Sequence, residues 1–304
     1  LEPDASWCAP GGEPASPLAN GGAFGGKTAS IAPVVARELA TTLDRAVRVV
    51  LTREDTVRLG PKRPPIAATA RYGTDGIVIA GRVVRGGETA FAGLPCAYDV
   101  MIDARWDAVD VAGPPVSSEL RASGLAEQSV LIEGALAEAG VDRASIVSDR
   151  AGPVLLDTAV VARSGACAGA RVAIDPERGL LEGVDVRVAA GDPLDEIVLR
   201  SYALGAVHMA LGWMLSEDLA VDRETGEVLD LTIRSFGIIR ARDLPPITVK
   251  VVDDPGPPLA RASDAVFAAV AAATWNALAA AEGVRPTALP ARETRAARTL
   301  RRAL

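Results

Sequence analysis

Residues 21–28 read Gly-Gly-Ala-Phe-Gly-Gly-Lys-Thr, and this glycine-rich stretch constrains the fold more strongly than any other part of the sequence. It satisfies the phosphate-loop pattern GxxxxGK[ST], in which backbone amides surround phosphates and the lysine reaches the outer ones. A nucleotide-binding loop of this kind follows a buried strand, and residues 7–20 do not have the pattern of one. We therefore interpret residues 21–27 either as a cradle for another anionic ligand or as a tight turn without a ligand.

The sequence after this loop alternates between helical and strand-like patterns. Residues 28–43 have helical spacing, and residues 47–51 form a β-branched run that predicts a buried strand. Residues 66–72 and 77–84 flank Gly-Thr-Asp-Gly, a turn sequence that predicts a β-hairpin. Apolar spacing predicts a helix over residues 117–140, which ends at a glycine.

The second half of the sequence predicts more strands and two long helices, and with the first half it indicates an α+β protein. The strands are expected at residues 153–161, 170–174, 184–189, 228–236 and 247–252. The helices are expected at residues 195–219 and 261–282, the second rich in alanine.

This order of elements predicts two mixed sheet-and-helix domains. Residues 1–20 contain several prolines and little periodicity, so they are expected to form an N-terminal arm. The first domain is expected at residues 21–145. The second is expected at residues 146–304 and includes a C-terminal helix and a basic tail.

The composition excludes several classes of protein. The chain has 304 residues, with 32 Lys plus Arg against 39 Asp plus Glu and a net charge of −7. An acidic chain lacks the basic surface that nucleic-acid binding requires. The longest apolar run, residues 265–281, is interrupted by polar residues and predicts a buried helix, so no membrane span is expected. The only lysines are Lys27, Lys62 and Lys250, which we interpret as codon bias without functional meaning.

Cysteine and histidine usage limits the metal chemistry of this chain. Cys8, Cys96 and Cys167 lie far apart, so neither a CxxC zinc site nor a four-thiolate iron–sulfur cluster is expected. Their spacing also argues against a disulfide framework and favours a reducing, cytoplasmic location. His208 is the only histidine, and no metal-ligating side chain is predicted.

Five motifs, taken in order, resemble one known family. They are the loop at residues 21–27 with RVVLTRE at 48–54, LRASG at 120–124, ARVAIDPERG at 170–179, GAVHMALGWMLSED at 205–218, and DRETGEVL at 222–229 with LPPI at 244–247. Together they are similar to the molybdopterin-binding subunit of the xanthine dehydrogenase, aldehyde oxidase and carbon monoxide dehydrogenase family. The resemblance covers most of the chain.

The resemblance implies a cofactor and the residues that contact it. In that family a GGxFGxK loop contacts the pterin of the molybdenum cofactor, and the matching positions here are Gly22, Ala23, Phe24 and Gly25. The family's FRGFG arginine corresponds to Arg121, which is either a cofactor or substrate contact or a surface ion pair. The resemblance also implies a small-molecule substrate, with iron–sulfur and flavin groups carried on other chains.

The departures from the family pattern bear on function. The loop stands at residue 21, whereas family members begin with further domains, so a partner chain is expected to supply the missing parts. Residues 141–169 lack the family's Gln-Gly cofactor loop. Gly256 occupies the position of the family's catalytic glutamate, and Met209 and Ala210 replace a Gln-Gly pair in the long helix.

The remaining catalytic candidates are Asp253, Asp254 and His208. The aspartates precede prolines, where a solvated turn is the alternative, and His208 lies on an apolar helix, where a core or interface role is the alternative. Three functions stay open. The chain is a cofactor-binding subunit of a molybdenum hydroxylase completed by a partner, a degenerate cofactor-free member with a non-redox reaction, or a non-catalytic scaffold.

Overall fold

The structure, a computed structural model, describes residues 4–16, 26–88, 98–161, 165–232 and 235–303. Within them the chain forms six α-helices and three small β-sheets, which confirms the predicted α+β class. The helices are α1 (Ala32–Leu43), α2 (Arg53–Leu59), α3 (Arg121–Glu138), α4 (Glu196–Leu215), α5 (Ala262–Glu282) and α6 (Arg295–Ala303). The strands are β1 (Ala5–Cys8), β2 (Val47–Val50), β3 (Ile66–Gly73), β4 (Gly76–Val84), β5 (Ile102–Val109), β6 (Thr158–Val161), β7 (Cys167–Ile174), β8 (Leu181–Ala189) and β9 (Ile247–Val251).

The three sheets follow one another along the chain. Strands β1 and β2 form an antiparallel pair, and β5 adds in parallel to the antiparallel hairpin of β3 and β4. The largest sheet has the order β6-β7-β8-β9, in which only the β8–β9 pairing is parallel. One apolar core joins this sheet to α3, α4 and α5, so it includes residues from both predicted domains, whose boundary stays a prediction.

Residues 5–8 of the expected N-terminal arm form strand β1, and an arm at residues 1–20 stays a prediction. Strand β1 pairs with β2, and the Trp7 amide donates a hydrogen bond to the Ala15 carbonyl oxygen at 2.9 Å. Nearby prolines and glycines hide the strand pattern of this short segment. Helix α1 packs on one face of the pair, so Val50 is 53% exposed and the expected burial of β2 is wrong.

The prediction of a strand at residues 228–236 is also wrong for the part of this segment that the structure describes. Val228 makes a single bridge to Val221 instead. The turn between them is closed by Asp222, whose carboxylate accepts hydrogen bonds from two backbone amides. A local turn motif therefore satisfies the backbone here without a partner strand.

Strand β5 was not expected, although Ile102, Ala104 and Trp106 alternate with charged residues in the manner of a strand. Strand β5 begins beside the turn between β3 and β4. The antiparallel pairing of β3 and β4 confirms the predicted β-hairpin. Gly76 in that turn has φ of +111°, and a Cβ there would lie 2.2 Å from the Met101 carbonyl oxygen. Glycine is therefore required both for the turn and for the approach of β5.

Helices α4 and α5 are each long and apolar enough to span a membrane, judged by length and composition alone. Helix α5 is a core helix, because 72% of its most apolar 18-residue stretch is buried inside the protein. This confirms the buried helix predicted for residues 265–281. The largest sheet is also hydrogen-bonded to the backbone of α5, because Thr158 in β6 donates a hydrogen bond from Oγ1 to the Ala269 carbonyl oxygen at 2.8 Å. Helix α4 differs, since only 44% of its most apolar 18-residue stretch is buried.

Gly169 in β7 occupies a position where a side chain does not fit. A Cβ there would lie 1.7 Å from the Val154 carbonyl oxygen, whereas a Cβ at Gly183 in β8 would lie 3.6 Å from the Pro246 oxygen. We expect Gly169→Ala to lower the free energy of unfolding by about 1–3 kcal/mol through overpacking. Gly183→Ala should change it by less than about 0.5 kcal/mol. Urea unfolding of both variants checks this, and equal losses of stability would contradict it.

Candidate functional site

One cavity of about 670 Å³ brings together several segments that the sequence motifs single out. Its charged and aromatic lining residues are Asp4, Lys27, Lys62, Arg63, Trp213, Glu217, Asp218 and Phe236. Its apolar lining residues include Ile31, Leu51, Val57, Leu59, Leu120, Met209 and Leu219. The wall is therefore mainly apolar, with a few polar groups that converge on it, as is typical of a small-molecule site.

Helix α2 and the turn after it form one wall of the cavity. The turn begins at Gly60, where a Cβ would lie 2.2 Å from the Thr56 carbonyl oxygen, so a side chain would clash. The Lys62 ammonium group donates hydrogen bonds to the Val57 carbonyl oxygen at 2.5 Å and to the Gly60 carbonyl oxygen. A cation at this place complements the negative end of the helix dipole. Burial nevertheless lowers the pKa of Lys62 to about 8.

Arg63 connects the α2 wall to two other helices. Its guanidinium group pairs with the carboxylate of Glu127, which lies in α3 and is 4% exposed. The same group lies over the indole ring of Trp213 in α4, with 5.3 Å from Cζ to the ring centroid. Trp213 is in turn supported by Phe267 in α5, at 5.5 Å between ring centroids. A cation–π contact and a buried ion pair therefore hold Arg63 at the cavity wall.

Glu127 is a buried acid whose ion pair with Arg63 lies behind the cavity wall. Burial raises its pKa to about 7, while the charge of Arg63 and the hydrogen bond from it oppose part of that rise. Its Oε2 is buried and has no hydrogen-bond partner within the described part of the chain. The carboxylate therefore depends on Arg63 for its compensation, which makes the pair sensitive to the loss of either member.

Glu217 places an acid with a shifted pKa in the cavity itself, just beyond the end of α4. Its amide donates a hydrogen bond to the Gly212 carbonyl oxygen at 2.7 Å. A Cβ on Gly212 would lie 2.1 Å from Glu217 Oε1, so the carboxyl group rests directly on the glycine. Burial raises the pKa of Glu217 to about 7. The cavity thus contains an acid and a base, Glu217 and Lys62, whose pKa values are both shifted towards neutrality.

The predicted cofactor contacts of the glycine loop lie outside the described residues. These are Gly22, Ala23, Phe24 and Gly25, and they stay predictions. The next residues of the same motif are described, because Gly26 begins the 3₁₀ turn Gly26–Ala29 and Lys27 is its second residue. Both line the cavity. The end of the glycine motif is therefore at the cavity wall.

Arg121 is the first residue of α3 and forms an ion pair. Its Nε lies 3.3 Å from Oδ2 of Asp264, which belongs to the first turn of α5 and is buried. Burial raises the pKa of Asp264, and the charges of Arg121 and Arg261 oppose that rise. The pair connects α3 to α5, and only the neighbouring residue Leu120 lines the cavity. A cofactor contact by Arg121 stays a prediction.

The three catalytic candidates from the sequence do not line the cavity. Nε2 of His208 donates a hydrogen bond to the Ile239 carbonyl oxygen at 2.7 Å. The carboxylate of Asp254 accepts a hydrogen bond from the Gly191 amide at 2.8 Å and lies 3.5 Å from Arg150 Nη2. Asp253 is exposed. The structure therefore does not bring these side chains together with Lys62 and Glu217 in one site.

The part of the chain that the structure describes contains no cluster of three or more His, Cys, Asp or Glu side chains that could hold a metal ion. The cavity residues Lys62, Arg63 and Glu217, and Glu127 behind Arg63, are missed by sequence reasoning. One signal was present, since Lys27 and Lys62 are two of only three lysines in the chain, and both line this cavity. Codon bias does not explain that placement.

The family of this chain follows from its sequence. The family description Molybdopterin cofactor-binding domain matches residues 21–245. The chain belongs to this family, which confirms the resemblance of its motifs. No curated protein matches the sequence.

Solved structures show the same fold at low sequence identity. The aldehyde oxidoreductase from Desulfovibrio gigas superposes with a TM-score of 0.72 and 12% identity, over 98% of this chain and 59% of that one. The aldehyde oxidoreductase from Desulfovibrio desulfuricans gives 0.67 and 12%, with the same coverage of 98% and 59%. Quinoline 2-oxidoreductase from Pseudomonas putida 86 gives 0.62 and 10%, over 93% of this chain and 71% of that one. The chain thus spans only part of the chains that it resembles.

Glu217→Gln is expected to remove a pH dependence of stability. Because burial raises the folded-state pKa from 4.5 to about 7, the stabilising contribution of the neutral carboxyl is complete below pH 4.5 and is lost as the pH rises through 7. At about pH 8 the variant should be more stable than the wild type by ~1–3 kcal/mol, and at about pH 4 the two should be equal. Urea unfolding at both pH values checks this, with the exposed Glu177→Gln as control. A difference that does not change with pH would contradict the assignment.

Arg63→Met should expose the dependence of Glu127 on its partner. Loss of one member of a buried ion pair usually costs about 3–5 kcal/mol, whereas replacement of both members by apolar residues of similar size is often neutral. We therefore expect Arg63→Met to destabilise the protein and Arg63→Met with Glu127→Met to recover most of the loss. Unfolding free energies of the single and double variants test this, and additive losses would argue against a coupled pair.

Proposed function

We propose that the cavity binds the pterin of a molybdenum cofactor and that the chain is a cofactor-binding subunit of a molybdenum-hydroxylase-type oxidoreductase. The observation that carries the proposal is that residues of three sequence motifs line the same cavity. Lys27 at the end of the glycine motif, Leu120 next to Arg121, and Met209 and Glu217 in the long-helix motif all line one cavity. Family membership supports the cofactor class. When bound, the cofactor supplies metal-centred oxidation and reduction of a small-molecule substrate.

The residues present fit such a group. The cavity of about 670 Å³ lies within the range of about 300–1,000 Å³ that is usual for ligand sites. The apolar wall and the indole of Trp213 suit a planar ring, and carboxyl oxygens of Glu217 and Asp218 can accept hydrogen bonds from ring N–H groups. Lys27 and Lys62 place positive charge where an anionic phosphate group would bind.

The proposal includes a partner chain that completes the active site. Gly256 stands where the family has its general base, and its φ of +143° is one that side chains rarely adopt. Its carbonyl oxygen accepts a hydrogen bond from the Asp192 amide at 2.9 Å, so this loop is tied to the segment after β8. A glutamate here would require the loop to be rebuilt, and we infer that the partner supplies the catalytic carboxylate. Buried free thiols at Cys8 and Cys167 support the further proposal of a reducing, cytoplasmic compartment.

A second candidate function is a non-redox acid–base reaction in the same cavity. The observation that favours it is the pair of perturbed groups, Glu217 with a pKa of about 7 and Lys62 with a pKa of about 8, in an apolar wall. Groups with pKa values near the working pH are suited to proton transfer. Metal and pterin analysis of the complex purified from its native source separates the two candidates. A full complex without molybdenum would leave only the second.

Leu59→Trp should fill part of the cavity from the α2 wall. Leu59 lines the cavity and is 46% exposed, and Leu43 on α1 is 48% exposed and serves as a matched control. In the complex purified from the native source, we expect Leu59→Trp to lower the bound pterin and molybdenum at least about tenfold, the effect of ~1.4 kcal/mol in binding. Leu43→Trp should leave both unchanged. Pterin fluorescence after oxidation and elemental analysis measure this, and equal cofactor content in both variants would refute the assignment of the cavity.

A further inference from the structure

Helix α4 and the segment just before it carry exposed apolar side chains. They are Leu194, Ile197, Val198, Tyr202 and Met209, which we name the α4 stripe, and these residues are 93%, 80%, 44%, 64% and 39% exposed. Leu194 precedes the first residue of the helix. Within the helix, Val198, Tyr202 and Met209 are spaced by four and seven residues, so they follow one side of it. Single exposed apolar residues are ordinary in soluble proteins, but several along one side of a helix mark an interaction surface.

Gly205 lies within the α4 stripe, between Tyr202 and Met209. A glycine in the interior of a helix is destabilising relative to alanine. The packing of the described residues does not require it, because a Cβ at Gly205 would meet none of their atoms within 4 Å. A second chain that approaches the helix backbone closely would require it. The glycine is therefore an independent observation that points to an occupant of the stripe.

The α4 stripe runs into the proposed cofactor site. Met209 belongs to the stripe and also lines the cavity, and Trp213, one helical turn further, lines it as well. A protein that covers the stripe therefore reaches the edge of the cavity. The occupant of the stripe and the completion of the site are connected by this geometry.

We propose that the α4 stripe is the docking surface for the partner chain that completes the active site, an inference that rests on the proposed function. Continuity with the cavity supports this occupant, because Met209 and Trp213 extend the exposed side of the helix to the site that the partner completes. Exposed acidic residues lie at the start of the stripe, at Asp192 and Asp195, whereas Glu196 is paired with Arg200. The matching surface of the partner is an apolar ridge with basic residues at that end.

A photo-crosslinking amino acid in place of Tyr202, incorporated into the full chain in its native host, tests the occupant. The control carries the same amino acid in place of Val284, which is 69% exposed and lies outside the α4 stripe. We expect position 202 alone to crosslink to a different polypeptide that carries motifs of the molybdenum-hydroxylase family. Mass spectrometry of the crosslinked peptide identifies it. Crosslinks to a second copy of this chain, to lipid, or equally from both positions would overturn the proposal, as would no crosslink.

The Gly205→Ala substitution separates docking from folding, because it should stabilise the folded chain and weaken docking of the partner. The variant should raise the urea midpoint of the isolated chain, since alanine is the better helix former. It should lower the yield of the crosslink from position 202, and Ile197→Glu should abolish that crosslink while Val284→Glu leaves it unchanged. Unchanged crosslinking in Gly205→Ala and Ile197→Glu would contradict docking at the stripe.

Failure of the docking proposal and failure of the cofactor proposal give different results. Leu59→Trp should lose the pterin but keep the crosslink from position 202, whereas Ile197→Glu should lose the crosslink. A crosslink to the expected partner in a complex that contains no pterin would support docking and refute the cofactor assignment. Bound pterin together with an unchanged crosslink in Ile197→Glu would support the cofactor assignment and refute docking at the stripe.

Discussion

The buried ion pair between Arg63 and Glu127 is the interaction on which the candidate site depends. Glu127 lies in the apolar interior on α3, where an isolated carboxylate would be strongly unfavourable. Arg63 compensates it and in doing so fixes the turn after α2 against α3. The same guanidinium group contacts Trp213 of α4. The turn after α2 and helix α4, which both line the cavity, are therefore positioned on α3 through one charged side chain.

This arrangement explains why the cavity contains ionisable groups with shifted pKa values. Its wall is mainly apolar, so charged forms of Lys62 and Glu217 lose solvation there. Lys62 keeps its place because helix carbonyls accept its hydrogen bonds, and Glu217 because Gly212 leaves room for its carboxyl group. Whether a pterin or a proton-transfer reaction uses the cavity, the protein provides polar groups in an environment that strengthens their interactions.

Helix α4 links the cavity to the exterior of the molecule. It is mainly apolar, yet less than half of its most apolar stretch is buried, in contrast to α5. One side packs into the core, and the other forms the α4 stripe that ends at Met209. The described residues therefore cover this helix incompletely.

The local elements could be predicted because their signals are local. The hairpin turn at Gly76, the length of α5 and the motifs of the glycine loop and the long helix are all read from neighbouring residues. The pairing of β1 with β2, the parallel addition of β5 and the placement of Lys62 and Glu217 in one cavity could not, because each depends on contacts between distant segments. The sequence by itself therefore determined the family and the elements, since motif spacing and periodicity follow from backbone geometry. Only the tertiary structure decided which charged groups share an apolar cavity and which helix face stays uncovered, since burial is a property of the assembled core.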